Sequence, residues 1–206
     1  MVDVLEKGGQ GLNLTYEVRD GILCHSKGKG GVFTKDKKGR AETLEGQIVR
    51  VADGIAYANH DLDDAVRAKV IKISDVPADI IKVLGGNHAK RIDTMVKDVI
   101  FSSLDGGLDK IRMGEEVHLA TEELRAFLFK NVYENKATLV EFTKASKVLT
   151  DLFNHFMENP GPFDRQGLEA TVDRGRLVCD FIAGMTDRYV LKLYEELFIP
   201  RPWAEL

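Results

Sequence analysis

Apolar residues recur at intervals of three and four along most of this chain. The longest such run, Thr43 to Ala68, carries Leu44, Ile48, Val51, Ile55, Leu62 and Val66 at that spacing and predicts one long helix. A shorter helix is expected over Leu12 to His25, with Asn13 or Thr15 as its N-cap. Pro77 opens a brief helix and Gly85-Gly86 closes it. His88 to about Leu104 is amphipathic through Ile92, Met95, Val96, Val99 and Ile100. Thr121 reads as the cap of a helix with Leu124, Phe127, Leu128 and Val132 on its apolar side. Ala137 to Met157 follows, with Leu139, Phe142, Leu149, Leu152, Phe153 and Phe156 on one face. A last helical stretch, about Leu168 to Phe198, is expected to bend near Gly184. No segment alternates with the period of a strand, and no internal repeat is present. The pattern is all-α, read as a single helical domain over residues 1–206, with a mobile basic loop at 27–40.

The long helix carries a second pattern. At about 100° per residue, Asp53, Tyr57, Asp61 and Asp64 project away from the apolar stripe. Asp53, Tyr57 and Asp61 follow one another at i+4 steps, so two carboxylates flank a phenol on one ridge. Gly46, Gly54, Ala56 and Ala58 leave room for something to approach. From the residues alone two readings stay open: a solvated face, and a binding or metal site.

The wording of this helix resembles a segment of the HD-superfamily deoxynucleoside triphosphate triphosphohydrolases, the bacterial dGTPase-like family. LNLTYEVRDGILCHS (Leu12 to Ser26), RIDTMVKDVI (Arg91 to Ile100) and VCDFIAGMTDRYVLKLYEELFIPRPW (Val178 to Trp203) resemble it too, in the same order. The resemblance runs from about Leu12 to Trp203. It implies the helical C-terminal portion of an HD-domain-like fold, without the N-terminal helices that bear the HD motif. It also implies hydrolysis of a dNTP to a deoxynucleoside and tripolyphosphate, with a divalent metal such as Mg or Mn polarising the α-phosphate. Asp53 corresponds to the last of four metal ligands. Tyr57 corresponds to the residue packed on the deoxyribose, where a phenol crowds a 2′-hydroxyl. Asp61 corresponds to the carboxylate that accepts from the 3′-OH. Successive i+4 steps advance about 6 Å, close to the distance from phosphate to sugar.

The family's other metal ligands, a His and an adjacent His-Asp pair, belong to a half ahead of Met1. The chain is therefore expected to be a truncated frame, one part of a split gene or an excised piece. Alone it should bind metal weakly or not at all and have little activity. His60-Asp61 is literally a His-Asp pair, and a self-contained site from His25, His60, Asp61 and Asp98 is chemically conceivable. The flanking residues match the final-Asp segment instead.

Composition narrows the field. The 206 residues are 44% hydrophobic and 30% charged with a net charge of −4, ordinary for a globular protein and unlike a nucleic-acid coat protein. Neither a membrane-length apolar run nor a signal-peptide core is present, and a cytoplasmic protein is expected. Cys24 and Cys179 sit in no paired spacing and read as thiols. The Lys27 to Arg40 segment has six basic residues against one acid. It reads as a solvated loop, with single-stranded nucleic acid as a possible regulator there. GKGG lacks the rest of a phosphate-binding loop. His88 and Arg91 open a helix, where an anion contact is conceivable. Amphipathic helices lacking their packing partners should expose apolar surface, so a homo-oligomer is expected. The rival to an enzyme is a non-catalytic helical interaction module that completes a separately made N-terminal half.

Overall fold

A computed structural model describes residues 2–3, 6–26, 31, 39–162 and 173–201. Most of the basic segment at 27–40, residues 163–172 and Trp203 lie outside the described residues. The regular elements described are helical throughout. A four-residue turn, α1 (Glu6–Gly9), is followed by α2 (Tyr16–His25), α3 (Leu44–Arg67), a 3₁₀ turn (Ile73–Asp75), α4 (Ala78–Leu84), α5 (His88–Asp105) and α6 (Glu115–Leu128). A π turn (Phe129–Tyr133) extends α6, and α7 (Lys136–Glu158), α8 (Arg174–Ala183) and α9 (Asp187–Phe198) complete the chain. Where the sequence suggests one helical domain, the contacts fall into two compact units, Met1–Asn135 and Lys136–Leu206.

Local signals set most helix ends. Thr43 Oγ1 accepts from the Gly46 N–H at 3.1 Å, satisfying one of the free donors of α3. Asn87 Oδ1 does the same for Lys90 at 2.9 Å in α5. Gly85, at φ 114°, ends α4 in a conformation that a Cβ would strain. Two ends differ from the sequence reading. Thr121 does not cap α6: it is buried inside the helix, its hydroxyl donates to Val117 O at 2.7 Å, and Gly114 is the N-cap. Asp98, on α5, accepts from the Gly114 N–H at 2.6 Å and serves that end from a distance. The stretch bent near Gly184 is two helices, α8 and α9. Thr186 caps the second by accepting from Tyr189 N–H.

In the first unit α3 lies central, touching α2, α5 and α6, while α4 packs on α5 and α6. The core is Val51, Ile55 and Leu62 of α3 with Ile80, Leu84, Met95, Leu124 and Leu128. Each such side chain contributes about 1.5–3 kcal/mol on leaving water. Gln47 ties α3 to the loop before α6, donating to Ala41 O at 3.0 Å and accepting from Ile111 N at 3.1 Å. In the second unit α7 packs on α8 and α9 around Leu152, Phe156 and Val178. Arg174 crosses the end of α7 and donates to the carbonyls of Phe156, Met157 and Asn159 at 2.8–3.0 Å. Two apolar stripes turn outward in part. Ile48 on α3 is exposed, and so are Leu139, Phe142 and Leu149 on α7.

Candidate functional site

The site starts with how α3 divides its faces. Gly46, Gln47, Arg50, Val51, Gly54, Ile55, Ala58, Asn59, Leu62 and Ala65 turn inward. Asp53 and Tyr57 turn outward, Tyr57 with 61% of its surface exposed, and Asp61 sits at the half-buried border. The ridge of i+4 steps thus exists as a surface feature, and Val49, exposed one step before Asp53, extends it.

Gly46, Gly54 and Ala58 do not leave room for a ligand, because the protein itself occupies that space. They lie on the inward face. A Cβ on Gly46 would fall 2.6 Å from Ala41 Cβ and 3.0 Å from Gly21 Cα. The two glycines let α2 and α3 approach closely. Of the small residues noted in the sequence, Ala56 alone stays near the outer face.

Asp61 has a partner that helical spacing could not reveal. Tyr133, the last residue of the π turn, donates its phenolic O–H to Asp61 Oδ2. Burial pushes the Asp61 carboxyl above the usual carboxylate range, Tyr133 opposes that by donating to the charged form, and nearby Asp64 adds to the rise. Burial and the same carboxylate push the Tyr133 phenol well above its ordinary value. The phenol is therefore a donor at any physiological pH.

Beside the ridge, Arg91 is consumed internally. Its Nε donates to Asn59 Oδ1 at 2.9 Å and its Nη2 to Asp63 Oδ1 at 2.7 Å, with 1% of the side chain exposed. His88 Nδ1 stands 2.8 Å from Asp63 Oδ2, and its ring lies 5.1 Å from that of His60. The Arg91 guanidinium, considered with His88 for an anion contact at the start of α5, is turned inward onto Asn59 and Asp63. The residues of the self-contained metal site are held by other partners. His25 Nδ1 lies 2.5 Å from Ile22 O, Asp98 caps α6, and no three His, Cys, Asp or Glu side chains converge as a metal site among the described residues. Asp53 offers one exposed carboxylate, which suits a hard cation as a single ligand and does not make a site by itself.

Residues 111–196 match the family model of a phosphohydrolase-associated domain. The whole chain is 48% identical over 209 residues to a deoxyguanosinetriphosphate triphosphohydrolase-like protein of Caldanaerobacter subterraneus subsp. tengcongensis, covering 58% of that protein. It is 44% identical to the protein of the same description from Desulfatibacillum aliphaticivorans, with 98% of this chain and 60% of the relative covered. For Clostridium tetani the identity is 42%, with 96% of this chain and 57% of the relative covered.

The chain belongs to the deoxyguanosinetriphosphate triphosphohydrolase-like family. It corresponds to the C-terminal part of these relatives and spans less than two thirds of their length. Within this family member, Tyr133 lies inside the phosphohydrolase-associated region and the ridge of α3 lies outside it. The family resemblance and the all-helical fold read from the sequence both hold. Among the described residues no helix is long and apolar enough to cross a membrane.

Proposed function

We propose that this chain forms part of a metal-dependent dNTP triphosphohydrolase, in which the outer ridge of α3 meets the sugar and phosphates of the substrate. The reading rests chiefly on that ridge: Asp53 and Tyr57 face outward in a chain of this family instead of joining the core. Tyr57 presents an exposed aromatic face suited to stacking against a deoxyribose and crowding a 2′-hydroxyl. Asp61, one turn on, keeps Oδ1 available among the described residues to accept from a 3′-OH, since Tyr133 takes Oδ2. Asp53 would give one oxygen ligand to the divalent ion. The ion's remaining ligands, and the groups that act on the water, belong outside the described residues on this reading. Exposed Ile48 and Val49 beside the ridge, with exposed Val18, Ile22 and Leu23 on α2, favour an apolar partner surface over open water. That partner is the part of the relatives' length that this chain does not span, and the assembled protein is a homo-oligomer.

The test is dNTP hydrolysis with released tripolyphosphate as readout. It is run on this chain alone and on the chain joined to the remaining segment of a relative. Activity only in the joined protein, abolished by Asp53→Ala with folding intact, is expected. Activity that survives Asp53→Ala overturns the proposal. Tight association with that segment but no hydrolysis of any dNTP would favour the non-catalytic interaction module instead.

A further inference from the structure

We propose that the outer face of α5 docks a second copy of this chain, the two α5 helices lying antiparallel about a dyad level with Ser102. The inference rests on the homo-oligomer of the reading above and is independent of the nucleotide role of α3.

The inner side of α5 is spent on the core: Arg91, Met95 and Ser103 are buried, and Ile92 and Val99 pack against the same cluster. The opposite side carries two neighbouring rows at i+4 spacing. Val96, Ile100 and Leu104 form one, with 41%, 49% and 54% of their surfaces exposed, and Leu108 is exposed just past the helix end. Lys97, Phe101 and Asp105 form the other, and all three are exposed. A contiguous apolar row rimmed by charge marks an interaction surface.

Charge selects a second copy as the occupant. Asp105 ends α5, where the free carbonyls repel an acid, and the last turn holds no basic residue. No hydrogen bond or ion pair reaches Asp105 among the described residues. Lys97 stands about two turns earlier on the same row, with 63% of its side chain exposed. Its ion pair is with Asp93 on its own helix, at 2.8 Å. These rows are complementary to themselves when inverted. A dyad level with Ser102 sets Ile100 of each copy against Leu104 of the other. It also brings Lys97 of each copy within about 3 Å of rise of the other copy's Asp105. Each orphaned carboxylate thus gains a cation, and Phe101 meets its counterpart beside the axis. Interlocking i+4 rows are the commonest way for helices to cross, and the antiparallel arrangement opposes the two helix dipoles. One helix face per copy is a small contact, so the dimer should dissociate on dilution.

The experiment is sedimentation equilibrium of the 206-residue chain at roughly 100 μM, well above a micromolar dissociation constant. Wild type is expected as a dimer or a multiple of one. Ile100→Lys should halve that mass with an unchanged circular dichroism spectrum, since this side chain already meets water. Lys97→Glu and Asp105→Lys each set like charges against each other at both pairs, and each should weaken association about tenfold or more. Mixed in equal amounts, the two variants should associate within about threefold of wild type, because both facing pairs then join opposite charges. An effect on the folding of one chain cannot produce that recovery. A monomeric wild type overturns both this inference and the homo-oligomer. A dimer indifferent to Ile100→Lys, or single variants that fail to recover on mixing, overturns this inference alone and assigns the contact to another face, such as that of α7.

Discussion

Arg91 and Asn59 join α5 to α3 through a hydrogen bond of 2.9 Å between two buried side chains. Asn59 also donates to Ile55 O at 2.8 Å and touches the Met95 sulfur at 3.3 Å. Asn59 lies on the inward face of α3, so the network ties that face to α5. Arg91→Met should destabilise the protein by roughly 2–4 kcal/mol, because Asn59 loses its buried donor and Asp63 its closest cation. Urea unfolding monitored by circular dichroism measures this. A change below about 0.5 kcal/mol would mean that Arg91 is not structural.

Gly46 and Gly21 set the distance between α2 and α3. Gly46→Ala would ordinarily gain about 1 kcal/mol of helix propensity. Its methyl would meet Ala41 Cβ at 2.6 Å and Gly21 Cα at 3.0 Å, both on backbone or a stub that cannot swing away. Overpacking of this kind costs about 1–3 kcal/mol, so a net loss is expected in the unfolding midpoint. A stabilised Gly46→Ala protein would refute the close approach.

Asp61 should make stability fall as pH rises through the acid range. Its carboxyl lies above the usual range in the folded protein, chiefly through burial. The folded state therefore holds that proton more readily than the unfolded chain does, and its contribution turns unfavourable once pH passes the unfolded value. The burden is complete above the folded value and vanishes below the unfolded one. Asp61→Asn can still accept from Tyr133 and carries no charge. It should unfold at an equal or higher urea concentration than wild type at pH 7, with the difference shrinking toward pH 3. A variant less stable at pH 7 than at pH 3, relative to wild type, would reverse the sign.

Tyr57→Ala separates site from scaffold. The side chain is 61% exposed, so the unfolding free energy should move by no more than about 0.5 kcal/mol. In the joined protein, discrimination of dGTP against GTP should drop by about tenfold or more, as removing one well-packed contact allows. Unchanged discrimination would exclude Tyr57 from the sugar subsite.

Much of the fold was legible because helices are specified within a few residues. Thr43, Pro77, Gly85 and the periodicity of α3, α5 and α7 act through bonds that span three or four positions. The ridge Asp53, Tyr57, Asp61 follows from the 100° step alone. What the chain pattern could not reveal is what meets each face. Thr121 is a good cap by type, yet the Asp98 carboxylate from another helix takes the Gly114 donor. By helical spacing Gly46 opens a face, and in the fold Gly21 fills it. Arg91 looks like an anion contact until Asn59 and Asp63 claim it.

The sequence by itself therefore determined the helices, the family and the order of polar groups along α3. The tertiary structure alone decided that Gly46 packs inward while Ile48 stays outside, and that Asp61 is held by Tyr133. The physical reason is range. Hydrogen bonding and side-chain spacing within a helix are local, whereas burial and partnership depend on residues brought from dozens of positions away, and no periodicity encodes those.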